Sequence, residues 1–416
     1  ITGNAVVNGA ISGITTYSVS GTSNIAANIT SSGNQSYTGA VTITGSAVTL
    51  NSSSGNGTVG FSSTVNSAAN GGNTASATNP LTVSSGSGNI TFSGIVGGAT
   101  NGALGALTVN TSGTTTFSAA LTAASVTTNS GGTTAINGGT ITTTGAQTYN
   151  DAVTLGAATT LTSSSSGAIN LASTVNGAQT LTINTAGATT FGGAVGGTTP
   201  LSSVTTDAAG TVVINGGAIT TTGAQTYNDA ASLGAATTLS AASITTGSTF
   251  ALGSHALTMT TDAISLGGNL SSSNSALIIQ PKTANTTIAL GSSATGTLNL
   301  DDTELGYLTD GFSSITFGST SGTGAINVDF ATPPTFADNL VIRSQTTSGG
   351  GAITVSDALN TSTNTLTIQT FGAVSVAAIT SGNLAITGNG ITLNGDITTS
   401  GTQTYTGAVT LGAAIT

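Results

Sequence analysis

The chain has 416 residues, of which only 3% are charged, against about 25% in an ordinary soluble domain. Twelve acidic residues face two basic ones, Lys282 and Arg343, for a net charge of −10. Nucleic acids and anionic membrane surfaces need many more cations than two, so both are excluded as partners. No apolar run is long enough for a transmembrane helix. Without cysteine there is no thiol catalysis, thiolate metal site or disulfide framework. The start, Ile1-Thr2-Gly3-Asn4, carries neither Met nor a signal peptide, as expected of a processed or internal piece.

Read in chain order, the elements are short strands. Ala40-Val41-Thr42-Ile43-Thr44, Leu81-Thr82-Val83, Leu107-Thr108-Val109, Leu181-Thr182-Ile183, Leu257-Thr258-Met259 and Leu366-Thr367-Ile368 alternate aliphatic with hydroxyl residues. That period of two puts the aliphatics on one face and the hydroxyls on the other. Asn-Gly, Gly-Gly and Ser-Gly clusters separate the runs as turns. No segment shows helical periodicity. The mean hydropathy of +0.30 supplies a core, but 4% aromatics suit only a narrow one.

Residues 141–161 read ITTTGAQTYNDAVTLGAATTL and residues 219–239 read ITTTGAQTYNDAASLGAATTL, identical at 19 of 21 positions. Weaker copies stand at Gln35-Ser36-Tyr37 and Gln403-Thr404-Tyr405. Between the strong copies, Gly145, Gly167, Gly187 and Gly210 recur at intervals of roughly 20 residues. A fine rhythm inside a larger period marks a repeat architecture. The spacing predicts an all-β, right-handed parallel β-helix, a β-solenoid whose coils of roughly 20 residues stack at about 4.8 Å. Tandem Ig-like β-sandwiches, with a period of roughly 90–100 residues, are the alternative. The rhythm is regular over residues 1–249, blurred over 250–345 and resumed over 346–416. The blurred part holds Lys282, Arg343, the only histidine (His255) and the acidic run Asp301-Asp302-Thr303-Glu304.

The unit TTGAQTYNDAVTLGAATTLTS, followed by GAINLASTVNGAQTLTINTAGATTFGGAVGG, resembles the repeats of filamentous-haemagglutinin-like and large autotransporter-type bacterial surface exoproteins. Residues 298–328, LNLDDTELGYLTDGFSSITFGSTSGTGAINV, resemble a recurring module of such proteins. The resemblance implies a right-handed β-helix, export from the cell to its surface or surroundings, and an adhesive or structural role. It brings no catalytic motif.

Candidate sites are few. Asp301, Asp302, Glu304 and Asp310 form the one dense carboxylate patch. With His255 and Arg343 it holds the minimal ingredients of a polysaccharide-acting enzyme, but neighbours on a strand point to opposite faces. The patch is also a weak calcium candidate; neither an EF-hand nor a nonapeptide calcium repeat is present. No other cofactor is expected. Tyr37, Tyr149, Tyr227 and Tyr405 recur in Gln-[Ser/Thr]-Tyr and are read as covers over one edge of the core, each hydroxyl bonded at a corner. Asn137, Asn176, Asn215 and Asn394 precede Gly at corners and are read as side chains stacked along the axis. The expected function is a non-enzymatic extracellular fibre: adhesin stalk, matrix or filament component. Its partners would be copies of itself, other surface components or glycans. An ice-binding solenoid is a further alternative, but varying coil lengths argue against aligned Thr-x-Thr ladders.

Overall fold

A computed structural model describes residues 1–68, 79–100 and 102–414. The protein is all-β, 52% strand and 2% helix, and forms a parallel β-solenoid of about 20 turns. Strands pair in parallel, each with the strand one coil on, which the antiparallel sheets of Ig-like sandwiches would not produce. Two compact units divide the chain, Ile1–Gly216 and Gly217–Thr416.

In the unit Ile1–Gly216, alternation directs each strand's burial. Val48–Asn51 buries Val48 and Leu50, and Thr159–Ser163 buries Thr159, Leu161 and Ser163. Ile141 pairs with Leu161, and Leu161 with Ile183, so aliphatics stack on aliphatics. Each fully buried Leu, Ile or Val contributes roughly 1.5–3 kcal/mol. The few aromatics are concentrated in one column. Tyr17, Tyr37, Phe61, Phe92 and Phe117 follow one another with ring centroids 4.8 to 5.7 Å apart. A coil-by-coil stack thus gives most of these scarce rings near-parallel, offset partners.

The glycine landmarks have a steric cause. A Cβ on Gly167 would collide with the backbone of Gly145, and one on Gly210 with Gly187. Neither residue has a positive φ, so close approach between coils, rather than the left-handed backbone that the corners suggest, demands glycine here.

In the unit Gly217–Thr416, coils of similar length run from Gly217 to about residue 277: Leu239 pairs with Met259, and Leu257 with Leu277. The next step, from Leu277 to Ile315, is almost twice as long. That long coil adds a strand, Leu298–Leu300, alongside Ile288–Leu290. It also adds the helix Asp302–Gly306. Shorter coils then resume, with Ile315 paired to Leu340 and Leu366 to Leu384. The blurred rhythm of residues 250–345 is therefore an enlarged coil followed by longer turns, within a ladder that stays parallel.

Candidate functional site

The acidic run does not form a strand or a solvated loop. Asp301 is the N-cap of the helix Asp302–Gly306: its carboxylate accepts from the Glu304 amide at 2.8 Å, and the Glu304 carboxylate accepts from the Asp301 amide at 3.1 Å. This is a capping box, which satisfies two amides that a helix N-terminus leaves open. The other oxygen of Glu304 accepts from the Leu266 amide at 2.8 Å, joining the helix to the preceding coil. Burial raises the Glu304 pKa against those amide donors. Asp302 accepts from the amides of Ser292, Ala331 and Thr332. Burial opposes its ionisation, but these donors outweigh it and leave the pKa below the usual carboxylate value.

These bonds bear on two sequence expectations. The calcium arrangement is not formed: Asp301, Asp302 and Glu304 are committed to backbone amides and Asp310 is exposed. Among the described residues, no group of three or more His, Asp or Glu side chains is arranged to hold a metal ion. The polysaccharide-cleaving set is not assembled either. The Arg343 Nε lies 3.5 Å from the Gly318 carbonyl, and His255 sits in the turn after Phe250–Gly253. Among the described residues, neither is hydrogen-bonded or ion-paired to Asp301 or Asp302. Lys282 donates to the Thr221 carbonyl at 3.0 Å.

The repeated tyrosines lie inside the solenoid rather than over its edge. Tyr37, Tyr149 and Tyr227 are fully buried. Each hydroxyl donates to the Gln two residues before it, at 2.9 Å in all three. Each Gln is buried too, and its amide nitrogen donates to carbonyls of its own and the next coil. Gln147 reaches the Ile141 and Thr162 carbonyls, and Gln225 those of Ile219 and Ser240. Gln35 does the same to Ile29 and Asn51. A buried amide left unbonded would cost about 1–3 kcal/mol, so the Gln needs its carbonyls and the Tyr needs the Gln. Burial pushes the phenol pKa of Tyr149 and Tyr227 far up. In the exposed last coil, Tyr405 keeps the bond to Gln403. The copied element is thus a staple between coils. Its place in the aromatic column is not copied: Tyr37 is followed by Phe61, whereas Tyr149 is followed by Leu171.

The repeat also copies a buried aspartate. One oxygen of Asp151 accepts from the Thr128 and Thr134 hydroxyls, each at 2.8 Å. The other is buried without a hydrogen-bond partner among the described residues. Burial raises the Asp151 pKa more than the two threonines lower it.

Asparagines do bond along the axis, but to backbone and mostly at other positions than expected. Asn4, Asn28, Asn34, Asn56 and Asn89 each accept, through Oδ1, from an amide of the next coil. Asn176 accepts in the same way from Thr198 and Thr199, while Asn394 donates to the Ser375 hydroxyl. Among the described residues, no side-chain hydrogen bond engages Asn137 or Asn215. The signal for the first five is position: each stands shortly before a strand, in the turn that leads into it.

Outward threonines form ranks that varying coil length did not lead one to expect. Thr140, Thr160, Thr182 and Thr205 are in register, and beside them Thr122, Thr142 and Thr162. Turns absorb the differences in coil length, so strand register survives. Comparison of the chain with protein-family models, with curated proteins and with solved structures returns no match.

Proposed function

We propose that the chain is a non-enzymatic extracellular structural or adhesive component, a scaffold built of stacked coils that presents a sparsely charged polar surface. One observation carries this reading. The buried polar groups that the sequence copies, Gln147 and Gln225 with their tyrosines, are engaged in holding coil to coil. What remains outward is chiefly Thr, Ser and Asn, suited to many weak contacts that gain strength by repetition. Nearest-neighbour stabilisation lets such a scaffold lengthen by duplication, as residues 141–161 and 219–239 display. The resemblance to surface-exoprotein repeats supports the same reading. Among the described residues, no helix is long and apolar enough to cross a membrane. Partners would be further copies, other surface or matrix components, or glycans. Antibody labelling of intact producing cells tests the location: signal without permeabilisation is expected, and signal only after permeabilisation contradicts it. Deletion of these residues is expected to reduce attachment of the cells while leaving growth unchanged.

The in-register ranks of Thr122, Thr142 and Thr162 beside Thr140, Thr160 and Thr182 favour ice binding as a second reading. They place hydroxyl and methyl groups on a lattice of about 4.8 by 6.7 Å. Thermal hysteresis and ice shaping by the purified protein would establish it. Freezing behaviour like that of an inert protein would remove it.

A further inference from the structure

A groove of about 570 Å³ opens on the surface of the unit Ile1–Gly216, lined wholly by Ser, Thr, Asn and Gly. Its floor has a definite cause. Ser84 pairs with Asn110 of the next coil, so these two polar side chains rank one per coil. Immediately after Ser84 the ladder slips, and Gly86 rather than residue 85 pairs with Thr111. Gly86 adopts a φ of +61°, and a Cβ there would strike the Asn56 side-chain oxygen. Only glycine lets the chain sink at this point. One wall is the short 3-10 turn Ser53–Gly55, which ends on Asn56 in the left-handed conformation.

The lining divides into groups that hold the groove and groups that face it. Thr111 is buried and bonded to the Gly86 and Gly88 carbonyls. Asn129 accepts from the Thr111 amide and donates to Ser130. Ser112 bonds the Gly86 carbonyl. Those three fix the shape. Four polar groups make no hydrogen bond among the described residues: the Ser53 and Ser87 hydroxyls, the Asn56 Nδ2 and the Asn110 Oδ1. Asn56 and Asn110 are nonetheless held, because Asn56 Oδ1 accepts from the Ser87 amide at 3.0 Å and Asn110 Nδ2 reaches Ser84 at 3.3 Å.

We propose that this groove binds a neutral oligosaccharide. Two hydroxyls that can both donate and accept, one amide donor and one carbonyl acceptor match the mixed donor–acceptor character of vicinal sugar hydroxyls. The absence of any charged side chain from the lining gives no attraction to uronic, phosphorylated or sulfated sugars, so the ligand is uncharged. The volume lies within the range of small-ligand sites, roughly 300–1,000 Å³. The amides are fixed before the ligand arrives, which lowers the ordering cost of binding. The proposal deepens the adhesive reading by naming a ligand class. It concerns the isolated protein, so it stands or falls independently of where the chain is located.

The test is titration of the whole chain with neutral cello-, malto- and chito-hexaose, and with oligogalacturonate as the acidic control. Saturable binding of at least one neutral hexasaccharide is expected, with shifts of the Asn56 and Asn110 side-chain amide signals. Asn110→Val keeps a strand-favouring residue and removes one neutral hydrogen bond, so affinity should fall roughly 2- to 10-fold. Ser87→Trp fills the groove and should abolish binding, whereas Thr190→Val on another strand should leave it unchanged. Circular dichroism confirms that the variants fold, and the signal shifts of the unmodified protein carry the test if one does not. No binding by any neutral hexasaccharide, equal binding of oligogalacturonate, or binding indifferent to Ser87→Trp overturns the proposal.

Discussion

The copied coils and the long coil of residues 277–315 use polar residues for opposite purposes. In the copies, polar side chains go inward: Gln147, Thr143 and Asp151 are buried, and Gln147 joins its own coil to the next. In the long coil and the turns after it, carboxylates hold turns by accepting backbone amides, as Asp301, Asp302 and Glu304 do. Seven of the twelve acidic residues, with both basic ones and the histidine, fall within residues 250–345. A coil that repeats its neighbour satisfies its backbone through the ladder. A coil that departs from its neighbours loses ladder partners, and charged side chains serve as substitutes. Charge density therefore marks irregular geometry here, and it is a poor guide to chemistry.

That contrast can be broken at its strongest point first. Phe92→Ala opens the middle of the aromatic column between Phe61 and Phe117. Denaturant unfolding should show a loss of about 3–5 kcal/mol. Gln147→Ala removes the staple and strands the Tyr149 hydroxyl and two carbonyls; the expected loss is about 3 kcal/mol, with faster amide exchange in residues 141–163. Exchange confined to the chain ends would count against the staple. In the long coil, Asp301→Ala should cost only about 1 kcal/mol, because one cap on a short helix is lost and the ladder is untouched.

Acid separates the two regions by sign. Burial raises the Asp151 pKa, so the native state keeps its proton to higher pH than the unfolded chain does. Stability from this residue is therefore fully present below the unfolded value and is lost as pH rises through the folded one. Asp302, whose pKa is lowered by its amide donors, behaves oppositely: its contribution is present above the unfolded value and disappears as pH falls through the folded one. Asp151→Asn should raise the melting temperature at pH 7 and flatten the acid side of the profile, while Asp302→Asn should lower it at pH 7. Identical profiles for the two variants would contradict the assignment. Smallest of all, Thr190→Val on the outward face should change stability by no more than about 0.5 kcal/mol.

Much of the fold was legible because it rests on local alternation. Leu181-Thr182-Ile183 reads as a strand with Thr outward, and that is how it stands. The glycine rhythm was legible because coils that touch exclude a Cβ at the same place in successive turns, as at Gly167, Gly187 and Gly210. The helix Asp302–Gly306 was missed although its signal was present, since Asp301-x-x-Glu304 is a capping-box pattern. So short a helix shows no periodicity, and only its cap could have announced it. The aromatic column could not be read at all. Tyr37, Phe61, Phe92 and Phe117 are unevenly spaced along the chain, and register, not spacing, brings them together. The groove escaped for the same reason: Asn56, Ser87 and Asn110 become neighbours only through a ladder that slips at Gly86.

The staples, the aromatic column and the groove all depend on coil stacking, and cryo-electron microscopy of the isolated protein tests it most directly. Density in layers about 4.8 Å apart, each one coil of roughly 20 residues, with the Tyr149 ring enclosed and Gln147 bridging to the next layer, is the expected result. Antiparallel sheets packed face to face about 10 Å apart, with the repeated tyrosines on the surface, would contradict the account.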